Sequence, residues 1–255
     1  MPRILILDIE TAPNIAYVWR YYKENIGAKQ VLEHSTIMSF AAKWLGDDNI
    51  IYCDGRVFDE TRILKELIYV LDLADIVIAH NGSKFDLPTI QGRAMVAGFK
   101  PPSPYKVIDT RTVAKYEFNF PSNSLEYLSD ILGVDKKDNH KKFPGFELWA
   151  ECLKGNEEAW DEMREYNIQD VVTLEQVYLK MRPWMRRHPN VAILKEGQRC
   201  SCPKCGSDSV QYRGYITTNT YRYRKFVCND CGGWSRSRFN TLPTKVGRNL
   251  LVNTA

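Results

Sequence analysis

With 255 residues, 44% of them hydrophobic, and a formal net charge of +4 at pH 7, the chain exceeds the usual size of one domain. We therefore expect one large domain with a small appendage. No apolar run is long enough to span a membrane, and the N-terminus has neither the basic nor the apolar region of a signal peptide, so the sequence predicts a soluble cytoplasmic protein.

Short apolar runs and amphipathic segments follow one another along most of the chain. The run at 3–9 is rich in Ile and Leu and has the length of a buried strand, whereas segment 59–73 has the apolar spacing of an amphipathic helix. Further strands are expected at 35–43, 49–53, 75–79 and 106–109, further helices at 85–97, 124–132, 147–154 and 157–181, and a polar loop at 135–142. Strands followed by alternating strands and helices predict an α/β domain with a mixed central sheet flanked by helices.

Two acidic residues stand two positions apart in the first predicted strand. Asp8 and Glu10 project to the same side of that strand, because successive side chains in a strand alternate. Adjacent carboxylates repel each other unless a cation lies between them, and hard oxygen ligands suit Mg²⁺ or Mn²⁺. Such a triplet is common at strand ends, so the metal hypothesis depends on what the rest of the chain supplies.

A further acidic residue follows a second buried strand. Residues 80–83 predict a turn, and Asp86 lies where strand 75–79 gives way to helix 85–97. Catalytic and ligand-binding groups gather at strand ends in α/β sheets. An acid in the first turn of a helix is also favoured by the helix dipole, which is the alternative role for Asp86.

The last acidic candidate lies on the long helix predicted at 157–181. Tyr166 and Asp170 are four residues apart, so a phenol and a carboxylate share one face of that helix. In the alternative interpretation they are a half-buried aromatic residue and a surface acid. Asp170 adjoins an apolar stripe, however, where a carboxylate without a partner is costly.

Three segments, Asp8-Ile9-Glu10, Asn81 to Asp86 and Tyr166 to Asp170, together resemble the three motifs of the DEDD superfamily of 3′-5′ exonucleases. This is the DnaQ-like branch of the ribonuclease-H-like fold. A tyrosine four residues before the last aspartate is similar to the tyrosine subclass, since the histidine subclass would have histidine at Glu165. The resemblance covers about residues 1–185 and extends to small stand-alone nucleases, some of them phage-encoded, which would act in the host cytoplasm.

The resemblance implies two divalent metal ions, Mg²⁺ or Mn²⁺, in the hydrolysis of a phosphodiester. Asp8, Glu10 and Asp170 would bind one ion. Asp8 would also contact the second ion, which Asp86 would support directly or through water.

The resemblance also assigns roles around the metals. Tyr166, together with Glu10, would orient the attacking water or help to deprotonate it. Because a free tyrosine has a pKa near 10, orientation is the more economical role. Thr11 and Asn81 match positions that line the terminal nucleotide in relatives.

Five of the seven cysteines lie in one C-terminal stretch, which fits zinc in a reducing compartment better than a disulfide framework. Cys202 and Cys205 form one C-x2-C pair, Cys228 and Cys231 form another, and a glycine follows each pair. The pairs are separated by 22 residues, slightly beyond the usual range, yet the pattern indicates a structural zinc site. The module resembles a zinc ribbon, with Cys200 left over as either an incorrect zinc ligand or a free thiol.

The segment between the cysteine pairs is both aromatic and basic. Residues 209–216 and 220–227 predict a hairpin around a turn at 217–219. The candidate substrate-binding residues of this hairpin are Arg213, Tyr221, Arg222, Tyr223 and Arg224. Aromatic faces for base stacking among cations for phosphates are typical of a surface that binds single strands; a protein partner or a small aromatic core is the alternative. Residues 195–255 carry eleven Lys or Arg and three Asp or Glu, and such a field attracts phosphates.

The sequence thus predicts an exonuclease domain at 1–190, a zinc ribbon at 197–240 and a basic tail at 241–255. We expect a 3′-5′ exonuclease that acts on single-stranded nucleic acid, DNA in preference to RNA, with a replication or repair protein as a further partner and no membrane. The alternatives are an RNA exonuclease of the ribonuclease D kind, a non-catalytic nucleic-acid-binding accessory protein, and an endonuclease or junction resolvase. Contacts to the 2′-hydroxyl decide between DNA and RNA.

Overall fold

The structure is a computed structural model that describes residues 2–134, 142–195 and 200–252. Most of the loop predicted at 135–142, the first residues of the predicted ribbon and the last three residues of the predicted tail lie outside these ranges. The chain divides into two compact units, one at Arg3–Tyr178 and one that contains the described residues from Leu179 onward. None of the described helices is long and apolar enough to cross a membrane.

A five-stranded mixed sheet forms the centre of the first unit. The strands of this unit in chain order are β1 (Ile4–Thr11), β2 (Ile15–Ala16), β3 (Val31–Glu33), β4 (Ile37–Trp44), β5 (Ile50–Asp54), β6 (Ile76–Ala79) and β7 (Lys106–Asp109). Five of them lie side by side in the order β5-β4-β1-β6-β7. β1 is antiparallel to β4 and parallel to β6, and β6 is parallel to β7. The predicted mixed sheet is therefore confirmed, with β1 at its centre.

The described residues around this sheet form six helices. They are α1 (Glu60–Asp72), α2 (Asp86–Val96), α3 (Thr110–Glu117), α4 (Leu125–Ile131), α5 (Glu147–Leu153) and α6 (Glu157–Met181). The side chain of Asp59 caps α1 by accepting a hydrogen bond from the N–H of Arg62 at 2.8 Å, which explains why this helix begins where it was predicted. α3 was not predicted, because it is short, polar and follows β7 without a linking turn.

The alternation of side chains along β1 places apolar residues on one face of the sheet and acidic residues on the other. Leu5, Leu7 and Ile9 are buried in a cluster with side chains of α1 and α2. Asp8 and Glu10 point to the opposite face, where they meet side chains of α5 and α6. Helices thus cover both faces of the sheet, which is why the strand begins as a continuous apolar run.

The short strands β2 and β3 were not predicted. They pair with each other in antiparallel fashion and form a small sheet of their own. Two or three residues are too few to show an alternating pattern, so the sequence contains no periodic signal for them. A 3-10 turn at Ala28–Gln30 immediately precedes β3.

The second unit contains a three-stranded antiparallel sheet in the order β10-β9-β8, formed by β8 (Val210–Thr217), β9 (Arg222–Cys228) and β10 (Trp234–Arg236). The hairpin of β8 and β9 confirms the prediction, whereas β10 was missed because it has three residues. A 3-10 turn at Val191–Leu194 precedes this sheet, and α7 (Thr244–Arg248) follows it within the predicted tail.

Candidate active site and metal centres

Three acidic side chains from two distant segments meet on the α6 face of the sheet. Asp8 and Glu10 come from β1 and Asp170 from α6, and one carboxylate oxygen of each lies within 4.8 Å of the other two. Two oxygens bound to one Mg²⁺ at about 2.1 Å lie about 3–4 Å apart. The three carboxylates therefore fit a common hard cation after small side-chain adjustments.

Asp86 approaches the same place from the first turn of α2. It is buried, and its carboxylate accepts a hydrogen bond from the N–H of Ile9 at 3.2 Å. This contact places Asp86 beside the Asp8 backbone, and its charge raises the pKa of the Asp8 carboxyl. The structure thus brings all four predicted carboxylates to one region, with Asp86 at its α2 side.

Burial and mutual repulsion oppose the ionisation of these acids. Burial is the main cause of every shift, and neighbouring carboxylates add to it: the pKa of Asp8 lies well above its ordinary value, and that of Glu10 rises to about 8. The pKa of Asp86 rises to about 7 and that of Asp170 to about 6 for the same principal reason, burial. A bound cation would favour the ionised forms, so the site is arranged to attract positive charge.

Two side chains that sequence reasoning missed hold the carboxylates in place. Asn167 is fully buried on α6; its Nδ2 donates to Asp8 Oδ2 at 2.7 Å, and its Oδ1 accepts from the Ser39 hydroxyl at 3.1 Å. Trp149 on α5 donates its indole N–H to Glu10 Oε2 at 3.2 Å. Its position beside Tyr166, within the segment that ends at Asp170, was the one available signal for Asn167.

Tyr166 lies against the same group. Its hydroxyl donates a hydrogen bond to the carboxylate of Asp170, and its ring meets the Trp149 ring edge to face, with centroids 5.9 Å apart. Burial, followed by the charges of Asp170, Glu10 and Asp8, raises the pKa of the phenol. Tyr166 therefore keeps its proton and acts as a hydrogen-bond donor.

The turn between β6 and α2 is fixed by a residue that was not predicted. The N–H groups of Asn81 and Ser83 each donate to a carboxylate oxygen of Asp109 at 3.1 Å. Asn81 has a positive φ of 66°, and a Cβ added to Gly82 would come within 2.3 Å of the Ala79 Cβ. This tight turn sets the start of α2 and with it the position of Asp86.

Thr11 and Asn81, which were predicted to line the terminal nucleotide, are close to this group in the chain. Asn81 is half-buried in the turn, and Thr11 follows Glu10 at a point where the pairing of β1 with β4 is irregular. Both residues are close in sequence to a carboxylate, and their contact with a nucleotide stays a prediction.

The four predicted cysteine ligands form a second cluster. Their sulfur atoms all lie within 4.8 Å of one another, with Cys202 and Cys231 at 3.6 Å and Cys205 and Cys228 at 3.6 Å. Four sulfurs bound tetrahedrally at about 2.3 Å lie about 3.8 Å apart. The cluster therefore fits Zn²⁺. Cys200 is exposed and is not a member of the cluster.

The two cysteine pairs have the same backbone geometry. The N–H of Gly206 donates to the carbonyl of Cys202 at 2.9 Å, and the N–H of Gly232 donates to the carbonyl of Cys228 at 3.0 Å. Both glycines have a positive φ, 75° and 73°, which side chains disfavour. Although burial opposes ionisation of the Cys228 thiol, backbone N–H groups of Cys231 and Asp230 lower its pKa to about 7.

The hairpin residues predicted to bind substrate lie on two faces of the small sheet. Neighbouring residues of β9 point to opposite sides, so Arg222 and Arg224 share one face and Tyr223 lies on the other. Tyr221 immediately precedes β9, and Arg213 is exposed on β8 between the two irregularly paired residues Tyr212 and Tyr215.

Residues of the adjacent strands give each face both rings and cations. The Arg222 guanidinium lies 4.7 Å from the ring centroid of Tyr215 on one face, and Arg236 lies 3.9 Å from the ring centroid of Tyr223 on the other. Tyr212, Tyr215 and Tyr221 are about half exposed. Aromatic and basic groups are therefore accessible on this sheet in the combination that nucleic-acid-binding surfaces use.

A comparison with models of protein families matches residues 5–182 to the RNase H superfamily. A comparison with curated proteins finds no match. Among solved structures, the chain is similar to the family B DNA polymerase from the hyperthermophilic archaeon Pyrobaculum calidifontis, with a TM-score of 0.50 and 14% identity over 72% of this chain and 26% of the polymerase. The chain spans about a quarter of the length of that polymerase, and the likeness is one of fold.

Proposed function

The chain belongs to the RNase H superfamily, and from this premise we propose that it is a metal-dependent 3′-5′ exonuclease of single-stranded DNA, of the DEDD type with an active-site tyrosine. The observation that carries the proposal is the meeting of Asp8, Glu10 and Asp170 within 4.8 Å, with Asp86 beside them. The hydrogen bond from Tyr166 to Asp170 supports the tyrosine subclass. The likeness in fold to a DNA polymerase supports DNA as the substrate.

Each carboxylate has a definite part in this proposal. Asp8, Glu10 and Asp170 would hold one divalent cation, and Asp8 with Asp86 would hold a second. When bound, the two cations supply activation of the attacking water and neutralisation of the charge on the phosphate oxygens. Asn167 holds Asp8 in one orientation, because its amide is itself anchored by Ser39.

Tyr166 serves in this proposal as a positioning donor. Burial and the neighbouring carboxylates raise the pKa of the phenol, which favours a role as hydrogen-bond donor over a role as the base. Its hydroxyl already donates to Asp170 and is directed toward the carboxylates. From there it can orient an attacking water, with Glu10 as the nearby acceptor.

The proposal also assigns a role to the second unit. We place the exonuclease domain at 1–190, the zinc ribbon at 197–240 and the basic tail at 241–255. Cys202, Cys205, Cys228 and Cys231 would bind structural zinc, and the rings and cations of the hairpin would help to hold the single strand.

Product analysis tests the proposal. Matched 5′-labelled single strands of DNA and RNA are incubated with Mg²⁺ or Mn²⁺, beside the Asp170→Asn variant and a circular single strand. We expect a ladder that shortens from the 3′ end on linear DNA, no product from the circle, and no ladder from the variant. Cleavage of the circle would indicate an endonuclease, a ladder on RNA alone would indicate a ribonuclease, and binding without cleavage would indicate an accessory protein.

A further inference from the structure

Residues 12–36 form an arm that starts from the strand carrying Asp8 and Glu10; we call it the aromatic arm. Its base continues the ladder of β1 and β4, since the N–H of Ala12 donates to the carbonyl of Thr36 at 2.8 Å. Beyond the base, β2 and β3 pair with each other in antiparallel fashion. The aromatic arm is thus a direct extension of the strand that holds two of the carboxylates.

The tip of the aromatic arm presents an unusual set of exposed rings. Within six residues, Tyr17 is 69% exposed, Trp19 93%, Tyr21 94% and Tyr22 83%. Large aromatic side chains contribute most to the free energy of folding when they are buried. The four exposed rings of this segment therefore contribute little to the stability of the fold. Their apolar faces are available to a ligand.

Polar contacts within the tip fix its backbone while leaving the rings free. Glu24 accepts hydrogen bonds from the N–H groups of Trp19 and Arg20, both at 2.9 Å. The side-chain amide of Gln30 donates to Glu24 and to the carbonyl of Tyr17, each at 3.1 Å. The backbone carbonyl of Gln30 accepts from the N–H of Tyr17 at 2.9 Å. The tip is therefore an ordered display of rings, which lowers the entropy that binding would cost.

We propose that the aromatic arm binds the substrate strand by stacking its rings on unpaired bases on their way to the carboxylates. The inference rests on the proposed function, since it assigns the arm to the same substrate. Every base has an apolar face, so stacking tolerates any sequence, as a non-specific exonuclease requires. Arg20 and Lys23 alternate with the rings and supply cations for the phosphates.

The length of the chain limits how far the rings lie from the chemistry. Tyr17 follows Glu10 by seven residues and Tyr22 by twelve, and extended chains of these lengths span at most about 25 Å and about 43 Å. The rings are thus within reach of nucleotides a few positions before the bond to be cut. A protein partner is the competing occupant, but the shared strand with the carboxylates and the interleaved cations favour nucleic acid.

Binding without cleavage tests the arm. The Trp19→Ala/Tyr21→Ala/Tyr22→Ala variant and the parent, both in the Asp170→Asn background with EDTA, are titrated into a labelled 20-nucleotide single strand. Because each stacked base contributes about 5- to 150-fold and three rings are removed, we expect binding to weaken at least about 100-fold. Tyr69→Ala, which removes an exposed ring from α1, is the matched control and should bind like the parent.

An abasic strand separates stacking from other effects. It keeps the phosphates but lacks the bases, so the triple variant and the parent should bind it equally. Unchanged binding of the ordinary strand by the variant, or an equal loss on both strands, overturns the proposal and points to a protein partner. Because no cleavage is measured, this result is independent of whether the exonuclease proposal holds.

The stacking role has a second, separate check at Trp19. Trp19→Phe keeps an aromatic face and should bind the ordinary strand within about threefold of the parent, whereas Trp19→Ala should lose about tenfold. Trp19, Tyr21 and Tyr22 are each more than four-fifths exposed, so their substitution should leave the packing of the protein intact. Equal losses for Phe and Ala would overturn the proposal.

Discussion

The carboxylate site and the cysteine cluster are both suited to metal ions, yet they are built in opposite ways. The carboxylates come from β1, α2 and α6, and a buried sheet with helices on both faces holds them together. The cysteines come from two turns of the same geometry, and the adjoining strand β8 has no buried residue. The carboxylate site therefore depends on the folding of the first unit, which brings distant segments together. Few other apolar side chains are buried among the described residues of the second unit, so a bound metal would form part of its core.

Removal of zinc should have the largest effect on this comparison. Chelation should unfold the sheet of β8, β9 and β10, because structural zinc contributes about 10 kcal/mol in small modules of this kind. The unit at Arg3–Tyr178 should keep its structure. Hydrogen exchange measured segment by segment would show the loss of protection, and Cys228→Ser should reproduce it whereas Cys200→Ser should not. Full protection of the three strands without zinc would refute the assignment.

Removal of a carboxylate should have the next largest effect, but on activity. Asp8→Ala and Asp170→Ala should each lower the cleavage rate about 1,000-fold or more, because each takes away a ligand of the cations. Circular dichroism should show an intact fold in both variants. Asp48→Asn, which changes an exposed acid of the same unit, is the control. Full activity of either site variant in a clean preparation would contradict the metal assignment.

Tyr166→Phe separates ligands from positioning groups within the carboxylate site. Loss of the hydroxyl should lower kcat about 100-fold and leave KM unchanged, since the phenol orients the reacting groups without holding the cations. The melting temperature should stay close to that of the parent, because the ring still packs on Trp149. Tyr127→Phe on α4 is the matched control. A rise in KM with normal kcat would assign Tyr166 to substrate binding instead.

Sequence reasoning succeeded where the signal is local. β1 was predicted from a continuous apolar run and α1 from its periodicity, and the structure adds the cap at Asp59. The pairs of cysteines and the acidic motifs are likewise local patterns. β2, β3 and β10 have two or three residues each, and α3 starts immediately after the last residue of β7, so periodicity could not reveal them.

The supporting groups of the site could not be predicted, because they depend on contacts between distant segments. Asn167 meets Asp8 across 159 positions of the chain, and Trp149 meets Glu10 across 139. Nothing in the sequence states which amide or indole approaches which carboxylate. The alternating rings and cations of β9 were recognised in the sequence. Which residues of β8 join each face of the small sheet depends on the register between the two strands, and the sequence does not reveal that register.

Stability as a function of pH gives the sharpest test of the comparison, although its effect is the smallest. The raised pKa values of Glu10, about 8, and Asp170, about 6, mean that the folded protein retains protons that the unfolded chain has released. Without divalent metal, stability should therefore fall as the pH rises from about 4 to about 8. Asp170→Asn removes one of the repelling charges, so it should stabilise the metal-free protein at pH 8 by about 2 kcal/mol and leave it unchanged below pH 4.

The contrast with the cysteine cluster makes this measurement decisive. Melting temperatures are recorded in EDTA and in Mg²⁺ at pH 4 and pH 8, with Asp48→Asn as the control. Mg²⁺ should stabilise the parent at pH 8 and have little effect on Asp170→Asn, because the variant has lost both the repulsion and a ligand. Asp170→Asn should therefore stabilise the metal-free first unit, whereas Cys228→Ser should destabilise the second unit. A less stable Asp170→Asn in EDTA at pH 8 would mean that the carboxylate, like the thiols, holds the fold together.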